Sequence, residues 1–128
     1  MATPNPMTAL LTLKAALALV TGVATCKIGL ETGMTAEDYP IVRIVPSLVR
    51  QSGVISSRDT DVLIYFGKPI AEFDSGLEAL YQQLFDMEVA LIDAAENCGV
   101  YCQYIETIAD EDRTDAYKLM ALRMTVQG

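Results

Sequence analysis

The run "DVLIYFG", Asp61 to Gly67, constrains this chain more than any other stretch. Its residues are the β-branched and aromatic types that favour strands, and alternation puts Val62, Ile64 and Phe66 on one face. Leu63 and Tyr65 fall on the other face. A strand apolar on both faces has to be covered on both, within the subunit or in an assembly. The chain has 128 residues, room for one domain over residues 1–128 with one core. Its hydrophobic fraction of 52% and charged fraction of 20% leave apolar surface beyond what that core takes. On a small domain such surplus finds a partner chain.

Other elements arrange themselves around this strand. Asn5-Pro6 caps and opens a helix whose Leu10, Leu13, Leu17 and Val20 share a face, with Gly22 as the stop. "ATCKIGLE" alternates as a strand, with Cys26, Ile28 and Leu30 on one side. The polar turn "TGMTAED" leads to "YPIVRIVPSLV", a strand in which Pro46 requires an edge position, a bulge or the strand's end. Ser75 and Glu78 have capping-box spacing and open a second helix. Its stripe is Leu77, Leu80, Leu84, Met87, Leu91 and Ala95, opposite Gln82, Asp86, Asp93 and Asn97. Glu88 interrupts that stripe: either its long side chain reaches out at the edge, or it forms an ion pair with a neighbouring subunit. "VYCQYIETI" and "DAYKLMALRMTV" read as antiparallel strands joined across the acidic turn "ADEDRT". The expected fold is α+β: a mostly antiparallel sheet of five strands with two helices packed on it, in the order α-β-β-β-α-β-β.

Between the second and third strands lies "RQSGVISSRDTD", Arg50 to Asp61, longer than the two to five residues of a tight hairpin. It reads as an extended polar loop carrying charges of both signs and no catalytic group.

The net charge of -8 is unevenly placed. Residues 1–71 hold five acids against six bases, whereas residues 72–128 hold twelve acids against Arg113, Lys118 and Arg123. That balance argues against gripping phosphate backbones, where affinity comes from Lys and Arg displacing counterions. An apolar opening interrupted by Lys14, with no basic leader, reads as a core helix rather than a signal peptide or a membrane span. Three cysteines without such a signal suit a reducing cytoplasm.

Chemistry is sparse. There is no histidine, so Ser-His and Cys-His nucleophile pairs are excluded together with the commonest transition-metal ligand. Cys98 and Cys102, even with Cys26, fall short of the four ligands of a structural zinc site, and read as buried thiols. Glu106 with Asp110, and the run Asp110 to Asp112, suit either a magnesium or hydrolase site or a solvated turn, and the turn is the better reading. Gly67-Lys68-Pro69 lacks the spacing of a phosphate loop. No catalytic, cofactor or metal residue is assigned, and the expectation is a non-enzyme.

An N-terminal helix, a strand pair with an extended loop, a strand ending in "VLIYFGKP", a long amphipathic helix and a closing hairpin together resemble the tail terminator (tail completion) proteins of long-tailed bacteriophages, of the phage lambda type. The resemblance spans Met7 to Val126 and rests on element order, size and charge rather than on a short motif. It implies a structural virion protein, assembled in the host cytoplasm, that forms a homohexameric ring. Such a ring caps the tail tube, stops its polymerisation and meets the head connector, without cofactor or catalysis. DNA would pass through it without being specifically bound, along an acidic channel face. On this reading Arg50, Arg58, Asp59 and Asp61 are the pairing groups of an assembly arm, and Glu88 is a further interface residue. The alternatives are another neck or tail component, such as a connector or tube protein, an unrelated bacterial interaction domain, and a carboxylate-dependent enzyme.

Overall fold

Strand alternation and helix periodicity converge on a single core. In the computed structural model, which describes residues 5–29, 41–51, 58–69, 77–113 and 117–127, the elements run α1 (Pro6–Ala18), β1 (Thr25–Ile28), β2 (Ile41–Gln51), β3 (Arg58–Pro69), α2 (Leu77–Glu96), β4 (Tyr101–Arg113) and β5 (Tyr117–Gln127). The strands form one five-stranded sheet in the order β1-β2-β3-β5-β4. Only β1 runs parallel to its neighbour, and the other pairings are antiparallel. The fold is α+β, in the chain order expected.

The core lies between the sheet and both helices. Val62, Ile64 and Phe66 of β3 are fully buried, in register with Met124, Leu122 and Met120 of β5. Val42 and Ile44 of β2 extend this layer, and Leu10, Leu13 and Leu17 of α1 with Leu80, Leu84 and Leu91 of α2 close it from above. Leu63 and Tyr65, on the far face, are half-buried. The inward face of β3 is therefore covered within the subunit, and the outward face only in part.

Local chemistry explains the ends of α1. Asn5 Oδ1 accepts from the Met7 amide at 3.0 Å, and Pro6 takes the first turn, where no amide donor is required. The helix stops at Ala18, before Val20. Leu19 and Val20 bond back to Ala16 and Leu17 in i→i−3 fashion, tightening the last turn, and Gly22 adopts φ +94° beyond it. Val20 still packs against the core from this turn.

Two boundaries in this part of the sheet differ from expectation, and Pro46 takes one of the positions expected for it. β1 ends at Ile28, and the expected Leu30 and Glu31 lie outside the described residues, as do "TGMTAED" and the Ser75 cap. Pro46 sits at a register shift between Pro46 and Leu48, two positions beyond Ile44, the last residue of β2 paired with β1. Among the described residues bulge and edge thus coincide, which removes the cost of proline's missing donor. The acidic run expected as a turn belongs to β4, which continues to Arg113. A second register shift, between Ile108 and Asp112, interrupts the regular pairing with β5 there.

Candidate assembly surfaces

The residues expected to form a loop arm are strand residues. β2 continues through Arg50 and Gln51, and β3 begins at Arg58, so the 50–61 loop contracts to residues 52–57, which lie outside the described residues. Arg50 stands opposite Asp59, and Gln51 opposite Arg58. Polar side chains do not prevent this pairing, because β2 is buried only over Ile41–Ile44 and both its faces become exposed toward the hairpin.

Asp61 is the centre of this end. Arg50 Nη1 donates to its Oδ2, Thr125 Oγ1 of β5 donates to its Oδ1 at 3.0 Å, and Ser47 Oγ donates to its backbone carbonyl at 3.1 Å. One carboxylate thus joins β2, β3 and β5. The hydrogen bond from Arg50 is the largest cause holding the Asp61 carboxyl below its usual range, with Thr125 and the Arg50 and Arg123 charges adding to it. Arg50 and Asp61, expected to meet a neighbouring chain, are therefore matched inside the subunit. Sequence reasoning missed Thr125, which is sixty-four positions away from Asp61. Only the β3–β5 register, Asp61 opposite Thr125, brings the two together.

Glu88 is half-buried at the border of the core stripe of α2, and among the described residues it has no ion pair. Beside it runs a second stripe that sequence reasoning missed. Tyr81, Phe85 and Val89 recur at four-residue spacing and are 36%, 41% and 55% exposed. Tyr81 and Phe85 stack with ring centroids 6.3 Å apart, and the Lys118 ammonium of β5 sits 5.7 Å from the Tyr81 centroid. This stripe therefore faces the β5–β4 side of the sheet. Tyr104 and Ile105 on β4 are exposed there as well.

α1 presents the same feature at the opposite flank. Met7, Leu11 and Ala15, again at four-residue spacing, are exposed although the helix is apolar on nearly every side. Lys14 borders this stripe, and its carbonyl accepts from Cys26 Sγ of β1 at 3.7 Å. A helix apolar all round is ordinarily buried all round. The spacing in "PMTALLTLKAALA" was the available signal, but the sequence does not reveal which side the sheet covers.

Charged residues are distributed unevenly among the elements. The described residues of α1, β1 and β2 carry Lys14, Lys27, Arg43 and Arg50 and no acid. α2 carries Glu78, Asp86, Glu88, Asp93 and Glu96, and β4 carries Glu106, Asp110, Glu111 and Asp112 against Arg113 alone. Glu106 is paired with Arg123 at 3.3 Å. The first group forms one edge of the sheet, and β4 forms the other.

The cysteines line the interior only in part. Cys102 is buried, whereas Cys26 and Cys98 are half-buried. Burial pushes the Cys102 thiol up to about 12 and the Cys26 thiol up to about 11, the latter opposed by the Lys14 charge. Cys98 and Cys102 sulfurs lie 3.9 Å apart where α2 turns into β4. Among the described residues no group of three His, Cys, Asp or Glu is placed to hold a metal, and no helix is long and apolar enough to cross a membrane.

No protein-family model matches the chain, and no curated protein is significantly similar to it.

Proposed function

We propose that this chain is a tail terminator of a long-tailed bacteriophage, a structural subunit that closes into a ring, caps the tail tube, stops its polymerisation and meets the head connector. The observation that carries the reading is the element order, helix, three strands, long helix, two strands, in one mostly antiparallel sheet. That is the order on which the resemblance to tail terminators rests. Two exposed apolar helix stripes are consistent with a subunit whose surface is finished by neighbours. The partners on this reading are other copies of the chain in a hexamer, the tube protein and the connector. DNA passes without specific contacts.

Electron microscopy of the purified protein tests the ring, with closed six-membered particles as the expected image. Adding the protein to polymerising tube subunits tests the cap. Tubes should stop growing and carry the ring at one end. Rings that leave tube length unchanged would point to another neck component, and monomers at all concentrations would overturn the reading altogether.

A further inference from the structure

We propose that Cys98 and Cys102 form a dithiol modification site, which a low-molecular-weight disulfide such as oxidised glutathione closes into an intramolecular disulfide. The bond fastens the end of α2 to the start of β4. The site rests on the placement of the two thiols and is independent of the ring reading.

Two separate elements bring the sulfurs together. Cys98 stands two residues past the end of α2, where its amide donates to the Ala95 carbonyl at 3.3 Å and tightens the last turn. Gly99 follows at φ +97°, a conformation that glycine adopts without strain, and the chain turns there into the sheet. Cys102 is the second residue of β4, in register with Val126 of β5 and buried in the core. The two sulfurs lie 3.9 Å apart, so a disulfide, with its bond of about 2.05 Å, requires them to approach by about 2 Å. Cys98 Sγ also donates to the Val100 carbonyl at 3.6 Å, a weak contact that does little to hold it back. Cys26 is the internal control, because it lies on β1 at the other edge of the sheet with the Lys14 carbonyl as its partner.

The difference in burial sets the order of the steps. Cys98 is half-buried and Cys102 is buried, so the external disulfide meets Cys98. Cys98 loses its proton and its thiolate attacks one glutathione sulfur. The glutathione S–S bond breaks, and the first glutathione leaves and takes up a proton. Cys102 then gives up its own proton, attacks the Cys98 sulfur and expels the second glutathione, which is protonated in turn. The protein loses two electrons and two protons, and the two glutathione thiols receive them. Burial, with Cys98 beside it, pushes the Cys102 thiol up to about 12, which slows the second step, while contact between the sulfurs makes that step intramolecular. A reducing glutathione pool keeps the pair open, and an oxidising medium closes it.

Equilibration of the native chain at varied ratios of oxidised to reduced glutathione tests this, with acid quenching, alkylation in denaturant and intact-mass measurement. The reduced chain takes an alkyl group on each of its three cysteines. The oxidised chain should take one, on Cys26, and carry no glutathione. The equilibrium constant for closure should be about tenfold or more larger in the native chain than in urea, because only the fold holds the sulfurs in contact. Cys102→Ser should stop at a glutathione adduct on Cys98, and Cys98→Ser should keep Cys102 free of glutathione. Full alkylation at every ratio, a closure constant no larger than in urea, or a glutathione adduct that persists on wild-type Cys98 at equilibrium would each overturn the site. Disulfide-linked dimers in place of the closed chain would do the same. If Cys102→Ser unfolds the chain, the wild-type alkylation count and the comparison with urea decide by themselves.

Discussion

Asp61 ties three strands together, because its carboxylate faces Arg50 of β2 and Thr125 of β5 at once. Asp61→Asn keeps the shape but removes the charge. The expected loss is about 1 kcal/mol of unfolding free energy by urea titration, since the pair is partly exposed. The pH dependence has a definite sign. The folded carboxyl titrates below its unfolded value, so its contribution is complete above the unfolded pKa and is lost as pH falls through the depressed folded one. Wild type should therefore lose stability in acid more steeply than Asp61→Asn, and parallel acid profiles would contradict the assignment. The thiols make a second residue-scale prediction. With Cys102 at about 12 and Cys26 at about 11, neither is a thiolate at neutral pH. A disulfide reagent should label buried Cys102 in the native protein only as fast as it unfolds and half-buried Cys26 more slowly than a free thiol, and Cys26→Ala should cost about 1–3 kcal/mol without abolishing assembly. Burst labelling of Cys102 would refute this.

At the scale of elements, Gly67 shows why one strand position admits no side chain. A Cβ there would lie 2.4 Å from Leu119 Cδ2 and 2.5 Å from the Lys118 carbonyl oxygen of β5, and the second contact is with backbone that cannot rotate away. Gly67→Ala should cost about 1–3 kcal/mol or more, read as a lowered urea midpoint, because relief requires separating two central strands. An unchanged midpoint would mean that β5 yields without cost. Glycine at the end of "VLIYFG" was visible in the sequence, yet its reason was not, since the obstructing backbone is that of Lys118, on a distant strand whose register brings Leu119 opposite Gly67. The same limit recurs elsewhere. Both core stripes and the helix cap were legible, because they depend on spacing within one element. The hairpin end at Arg50 and Arg58 and the acidic end of β4 were misplaced, because polar residues read as loop until a partner strand satisfies their backbone. Of the candidate interface residues, Arg50, Arg58, Asp59 and Asp61 lie together at one hairpin end, while Glu88 lies apart on α2.

For the whole molecule, the strongly acidic half bears on DNA. A gel shift with duplex DNA at physiological salt should show no retardation, because the net charge of -8 repels a polyanion rather than recruiting it. Micromolar binding with a steep salt slope would contradict a channel that DNA merely traverses. The half-to-half charge split was legible in the sequence, but the strand order, which puts β2 and β4 on either side of β3 and β5, was not. That strand order has a further consequence during synthesis. β5 follows β4 in sequence and yet lies between β3 and β4, so one edge of β3 stays unpaired until β5 is made. At ordinary translation rates the ribosome takes roughly 3–12 s to travel from Pro69 to Gln127. Once β3 has left the ribosome, that edge of the "VLIYF" strand is open to other nascent chains until β5 follows. Yield of folded subunit should therefore fall more sharply with expression level and temperature than the stability of the finished fold suggests, and chaperones that shelter nascent strands should restore it.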